Sequence, residues 1–157
     1  ADALPEGAQV VHLTGRGKDE PVRAAVEAAG LSDRWHVIDY LTTMEDALAV
    51  ADLVVCRSGA GTVAEMEALG LPCIYVPLPI GNGEQRLNAA DHVAAGGAQL
   101  IDDKDFTADF VRRNVFPLLG STRLADMAAA SQSLGRAGAA RALADLALDQ
   151  VKEAGHE

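Results

Sequence analysis

The sequence predicts an α/β fold: a Rossmann-like parallel sheet with helices on both faces. Three observations carry this expectation. Short, almost wholly apolar runs alternate with helical stretches along the chain, as strands buried on both faces require. Loops rich in turn-forming residues follow several of these runs. The stretch from Ala51 to Leu71, ADLVVCRSGAGTVAEMEALGL, leads from a strand through a tight glycine turn directly into a helix.

The elements follow in order. Gln9 to Leu13 reads as the first strand, and Thr14-Gly15-Arg16-Gly17 as the turn after it. Pro21 suits the first turn of a helix that Gly30 ends. His36 to Asp39 is a second strand, Tyr40 to Thr43 a loop, and Met44 to Val50 a short helix. Leu53 to Cys56 is the third strand, and the helix after its turn runs from about Thr62 to Leu69, stopped by Gly70. Cys73 to Val76 is the fourth strand, closed by Pro77. The loop from Leu78 to Gly83 precedes a single helix, Glu84 to Ala95, which Gly96-Gly97 ends. Ala98 to Ile101 is the fifth strand. From Thr107 the pattern is helical to about 153, with segments to about Leu119, from Thr122 to Leu134, and from Ala137 to Val151. In the last of these, Leu143, Leu146, Ala147 and Val151 form one apolar stripe.

At 157 residues the chain is expected to form one domain, 1–157, with its own core. A hydrophobic content of 49% places it among globular sequences. Aromatics make up only 4% and the net charge is −10, so stacking platforms and broad basic surfaces for nucleic acid or anionic membrane are excluded. Phosphate binding has to be local. The two cysteines, Cys56 and Cys73, sit in apolar strands and read as reduced core residues of a cytoplasmic protein. His12, His36, His92 and His156 are scattered, with no metal-ligand spacing. The longest apolar run, Leu71 to Ile80, is too short to span a bilayer and holds three prolines. The N-terminus has neither the charged nor the apolar region of a signal peptide, and its abrupt start is that of a cut fragment.

Chemistry concentrates at the Ala51–Leu71 stretch. The first turn of a helix carries N–H groups with no intrahelical partner, and the aligned peptide dipoles make that end electropositive. Ser58, Gly59, Ala60, Gly61 and Thr62 therefore read as a phosphate cradle, the glycines admitting unusual backbone conformations and close approach. Glu65, three residues from Thr62, shares its helix face, and its carboxylate can accept hydrogen bonds from the vicinal diol of a ribose. The run Gly59-Ala60-Gly61-Thr62-Val63-Ala64 also fits the dinucleotide fingerprint G-x-G-x-x-G/A. That fingerprint expects an acid at the end of the next strand, where this chain has Val76-Pro77-Leu78-Pro79. Phosphate binding remains; the dinucleotide reading does not. Gln85 and Asn88, three apart on one helix face beside Glu84, offer donors and acceptors to sugar hydroxyls. Tyr40-Leu41 offers backbone groups and an apolar wall to a flat base.

Taken together, ADLVVCRSGAGTVAE and GLPCIYVPLPIGNGEQRLNA resemble the MurG family of peptidoglycan N-acetylglucosaminyltransferases, most closely its actinobacterial members. The similarity runs from about His12, in HLTGRG, to the C-terminal helix. It implies the donor-binding half of a GT-B fold, with the first βα unit missing because the chain begins after the family's G-G-S-Q-G-A-R loop. It implies an inverting, metal-free and cofactor-free transfer of GlcNAc from UDP-GlcNAc to lipid I, making lipid II at the cytoplasmic face of the membrane. Lipid I and membrane contacts, and the catalytic base, then belong to an acceptor domain outside this chain, which alone would be inactive. By position the resemblance places the uracil pocket at Tyr40, Leu41 and Met44. It places the diphosphate loop and helix start at Ser58 through Thr62, the ribose carboxylate at Glu65, and sugar contacts at Glu84, Gln85 and Asn88. Arg57, Val63 and Ala64 match the motif and count among the substrate-binding residues without a more specific role. Two other readings stay open: a different GT-B UDP-sugar transferase, and a non-catalytic nucleotide-binding module.

Overall fold

The computed structural model describes residues 4–135; the helix expected over 137–151 lies outside them. The order is β1 (Val10–Leu13), α1 (Glu20–Ala28), β2 (Trp35–Ile38), α2 (Met44–Ala49), β3 (Val54–Cys56), α3 (Ala60–Leu69), β4 (Cys73–Tyr75), α4 (Glu84–Asn88), α5 (Ala90–Ala94), β5 (Ala98–Leu100), α6 (Ala108–Phe110) and α7 (Thr122–Leu134). Every strand pairing is parallel. The strands fall into two hydrogen-bonded sets, β1-β2 and β3-β4-β5. In the doubly wound order 3-2-1-4-5-6 the first strand lies between the second and the fourth. The two sets are what that order leaves when its first strand is taken out.

The three-stranded set is covered on both faces. Along β4, Cys73 and Tyr75 point into a core with Leu48, Val63, Met66, Ala89 and Ala98. Ile74, on the opposite face, packs with Val115, Leu118 and Met127. Leu48 ties α2, which follows the first strand set, into the core of the second. The outer strands β1 and β3 are less protected: Val11 and Leu13 of β1 and Val55 of β3 are 47%, 37% and 43% exposed.

α3 ends where the sequence predicts. Gly70 takes a left-handed conformation (φ 67°) and its N–H returns to the last turn, as a C-terminal glycine cap does. A side chain there would meet Cγ of Gln132 at 2.4 Å, so Gly70 also sets how closely α7 approaches. The single helix expected over Glu84–Ala95 divides at Ala89 into α4 and α5. Ala89 is fully buried in the core, a packing demand with no signature in local composition. The helical run expected to about Leu119 reaches Leu118 but changes type along the way, as α6, a π-helical segment Val111–Val115 and a 3-10 turn Phe116–Leu118. Pro117 explains the change, because it offers no N–H and its ring crowds the carbonyl four residues back.

Candidate functional site

The carboxyl ends of the strands form the rim where ligands of parallel sheets bind. At its centre, β3 passes through Arg57-Ser58-Gly59 into α3. Gly59 is the N-cap residue, in extended backbone (φ −63°, ψ 148°), and no side chain caps the helix. The Val63 N–H donates to the Gly59 carbonyl at 2.9 Å, so Val63, whose side chain is buried in the core, has no amide to spare. The N–H groups of Ala60, Gly61 and Thr62 have no acceptor among the described residues, and no acidic residue occupies the first turn. The helix start is an unneutralised array of donors.

Of the two roles the sequence predicts for the glycines, unusual backbone conformation and close approach, only the second fits the geometry. Neither Gly59 nor Gly61 has positive φ, so the turn does not depend on their conformational freedom. A Cβ on Gly61 would meet nothing within 4 Å. What glycine provides here is open space above the amides.

Ser58 is fully buried and its hydroxyl has no hydrogen-bond partner among the described residues. A buried hydroxyl in that state costs about 1–3 kcal/mol, and it sits at the entry to the turn. Glu65, one turn along α3, is exposed and forms no hydrogen bond or ion pair with another described residue, which leaves its carboxylate free.

α4 stands beside the turn. Asn88 Nδ2 donates to the Ser58 carbonyl at 3.1 Å, the direct link between the two motifs that the sequence singled out. Gln85 Oε1 accepts from the Leu78 N–H at 3.0 Å, which holds the loop after β4. Each amide keeps its other polar atom: Oδ1 of Asn88 and Nε2 of Gln85. Glu84 is exposed and accepts from Asn82 Nδ2 at 3.0 Å. Ala60, Val63, Ala64, Glu67, Asn88 and Asp91 line a cleft of about 190 Å³ between α3 and the α4–α5 pair. That is smaller than the ~300 Å³ lower end of ligand pockets, enough for part of a ligand.

Arg57 is occupied. Its Nη1 lies 2.9 Å from the Val76 carbonyl, 3.2 Å from the Pro77 carbonyl and 2.5 Å from Oδ1 of Asp103. Arg86 of α4 pairs with Asp102. Tyr40, Leu41 and Met44 line the neighbouring rim after β2, with Tyr40 and Met44 exposed. The Arg16 guanidinium lies 3.9 Å over the Tyr40 ring, bringing the loops after β1 and β2 together. No hydrogen bond joins that pair of loops to the 57–62 turn among the described residues. Tyr40, Leu41 and Met44 thus follow the β1-β2 set, and the 57–62 turn belongs to the β3-β4-β5 set.

Sequence reasoning missed two features. Asp102 and Asp103, just past β5, belong to the rim but carry no motif. His92, one of four scattered histidines, is fully buried between Tyr75 and Ser131. Among the described residues no group of three or more His, Cys, Asp or Glu could hold a metal ion, and no helix is long and apolar enough to cross a membrane.

Parallel βα units with an uncapped turn at the strand ends define a Rossmann-like domain, and its likeness to the crystal structure of a MurG places it in the GT-B class. Within that class, the chain belongs to the family of glycosyltransferase family 28 C-terminal domains, whose model matches residues 1–146. A protein of Paenarthrobacter aurescens is 45% identical over 148 residues, 92% of this chain and 39% of that protein. One of Mycolicibacterium smegmatis is 55% identical over 118 residues, 74% of this chain and 31% of its own length. Both are named UDP-N-acetylglucosamine–N-acetylmuramyl-(pentapeptide) pyrophosphoryl-undecaprenol N-acetylglucosamine transferase. The crystal structure of Acinetobacter baumannii MurG superposes with a TM-score of 0.76 at 26% identity, covering 88% of this chain and 40% of that one. Glycosyltransferase VinC, solved with dTDP, shares the fold at a TM-score of 0.61 and 19% identity, over 86% of this chain and 31% of its own. The chain thus spans about two-fifths, or less, of the length of these proteins.

Proposed function

We propose that this chain is the donor-binding part of an inverting glycosyltransferase that moves GlcNAc from UDP-GlcNAc to lipid I, making lipid II in peptidoglycan synthesis at the cytoplasmic face of the membrane. The observation that carries this reading is the start of α3: three free amides under open space, with the uncommitted carboxylate of Glu65 one turn further on. The names of the relatives at 45% and 55% identity point to the same donor.

In this reading the diphosphate lies on the amides of Ala60, Gly61 and Thr62, and Glu65 accepts from the ribose hydroxyls. Uracil sits against Tyr40, Leu41 and Met44, and the sugar faces the remaining polar atoms of Gln85 and Asn88, with Glu84 beside them. As the acceptor hydroxyl attacks the anomeric carbon, the bond to the diphosphate breaks and negative charge grows on UDP. Amides already fixed in the helix stabilise that charge without reorganising. The acceptor's proton needs a base, which this reading assigns to the acceptor domain of the whole protein, together with the lipid and membrane contacts.

Saturation-transfer NMR on the chain with UDP-GlcNAc, UDP-glucose, UDP-GalNAc and ADP tests it. The expected result is weak binding of uridine nucleotides, strongest for UDP-GlcNAc and absent for ADP. Equal response to ADP, or none to UDP-GlcNAc, overturns it.

A further inference from the structure

The two arginines nearest the phosphate turn and the sugar-side helix do not present free charge to the rim. Arg57, in the turn, is held by Asp103 and by the carbonyls of Val76 and Pro77. Arg86, between Gln85 and Asn88 on α4, is held by Asp102. The two carboxylates are consecutive residues just past β5, whose last residue, Leu100, pairs with Tyr75 of the central strand β4. One point of the sheet therefore grips the two elements that carry the diphosphate and sugar contacts. Asn88 closes the triangle through the Ser58 carbonyl.

We propose that Asp102 and Asp103 are positioning residues for the donor site: Asp103 sets the 57–62 turn, Asp102 sets α4, and their adjacency dictates the spacing between diphosphate and sugar. This rests on the donor reading above. Arg57 then acts through the turn's placement and not as a phosphate ligand, since its charge is already matched by Asp103. All four side chains are between 39% and 55% exposed, and exposed pairs contribute little to global stability. A pair of this kind that spans two loops and a helix instead restricts how those elements move against each other.

The discriminating readout is the preference of the chain for UDP-GlcNAc over UDP-glucose, from two-dimensional NMR titrations of both ligands. Both ligands carry the same charge, so removing a negative charge from the protein affects them alike and cancels in the ratio; moving α4 does not cancel. Asp102→Asn is expected to lower the preference about two- to fivefold while leaving the thermal midpoint within about 2 °C, since exposed pairs add little to stability. Arg86→Gln should have the same effect, the double variant should be no worse than either single one, and Asp102→Glu should restore the preference. An unchanged ratio in Asp102→Asn, or a double variant that sums the two single losses, overturns the proposal. Parent protein that binds neither ligand removes the donor reading itself, and this one with it.

Discussion

Tyr75 Oη lies 2.8 Å from Nδ1 of His92, and Nε2 of the same ring lies 2.5 Å from Oγ of Ser131. All three side chains are fully buried. The roles follow from the acceptors that remain. Ser131 also reaches the carbonyls of Leu71 at 3.1 Å and Gly97 at 3.4 Å, so its one hydrogen goes to a carbonyl and it accepts from Nε2–H. Nδ1 is then the unprotonated nitrogen and accepts from Tyr75. The chain of bonds joins β4, α5 and α7 and needs a neutral histidine.

That requirement predicts a pH dependence of folding. Burial lowers the His92 pKa below its ordinary 6.5, so the unfolded chain binds a proton more readily than the folded one. Stability is fully present above about pH 6.5 and is lost as pH falls toward the folded-state pKa. Urea unfolding at pH 7.5 and 5.5 should show a lower midpoint at 5.5, and His92→Phe should remove this component. Equal acid sensitivity in parent and variant would dismiss the assignment.

Ser131→Ala leaves the His92 Nε2–H buried without an acceptor, an expected loss of about 1–3 kcal/mol. Gly97→Ala strikes the same network by overpacking: its Cβ would fall 2.5 Å from Ser131 Oγ and 2.6 Å from the His92 ring, at a cost of about 1–3 kcal/mol. Denaturant midpoints at pH 7.5 check both.

Gly61→Asp should separate stability from binding. A carboxylate in the first turn of α3 complements the helix dipole and is expected to stabilise the fold by about 0.3–1 kcal/mol. The same charge faces the proposed diphosphate position and should lower UDP affinity more than about tenfold. Thermal unfolding and an NMR titration of one variant read both signs; a rise in affinity would contradict the anion site.

Glu65→Ala is expected to weaken UDP binding about tenfold, near the lower end of the ~1.5–3 kcal/mol typical of hydrogen bonds to charged groups. Because Glu65 is exposed and has no partner among the described residues, the fold should be unaffected. Calorimetry that gives parent and variant the same affinity would remove the ribose contact.

β1 and β3, each at an end of its strand set, carry half-exposed Val11, Leu13 and Val55. Unpaired apolar edges template strand addition, so the chain is expected to self-associate with rising concentration. Val55→Lys should shift sedimentation toward monomer, as a lysine on an edge strand disfavours pairing.

Strand and helix alternation, the glycine stop of α3 and the strand-turn-helix at 51–71 were legible from residue order alone. Each depends on local periodicity or on one residue's backbone preference, and neither needs a distant partner. The five strands and the caps accordingly fall within a residue or two of expectation. The α4–α5 break at Ala89, the burial of His92 and the occupation of Arg57 by Asp103 were not legible.

The amino-acid order by itself determined which residues meet the rim, because in a parallel sheet every strand end and the loop after it must emerge on the same side. Tertiary structure decided what those residues have left to offer. Arg57 and Asp103 are 46 positions apart, and His92 and Ser131 are 39 apart. Whether a side chain remains free for a ligand or is already matched within the fold depends on such long-range neighbours, which no local pattern encodes.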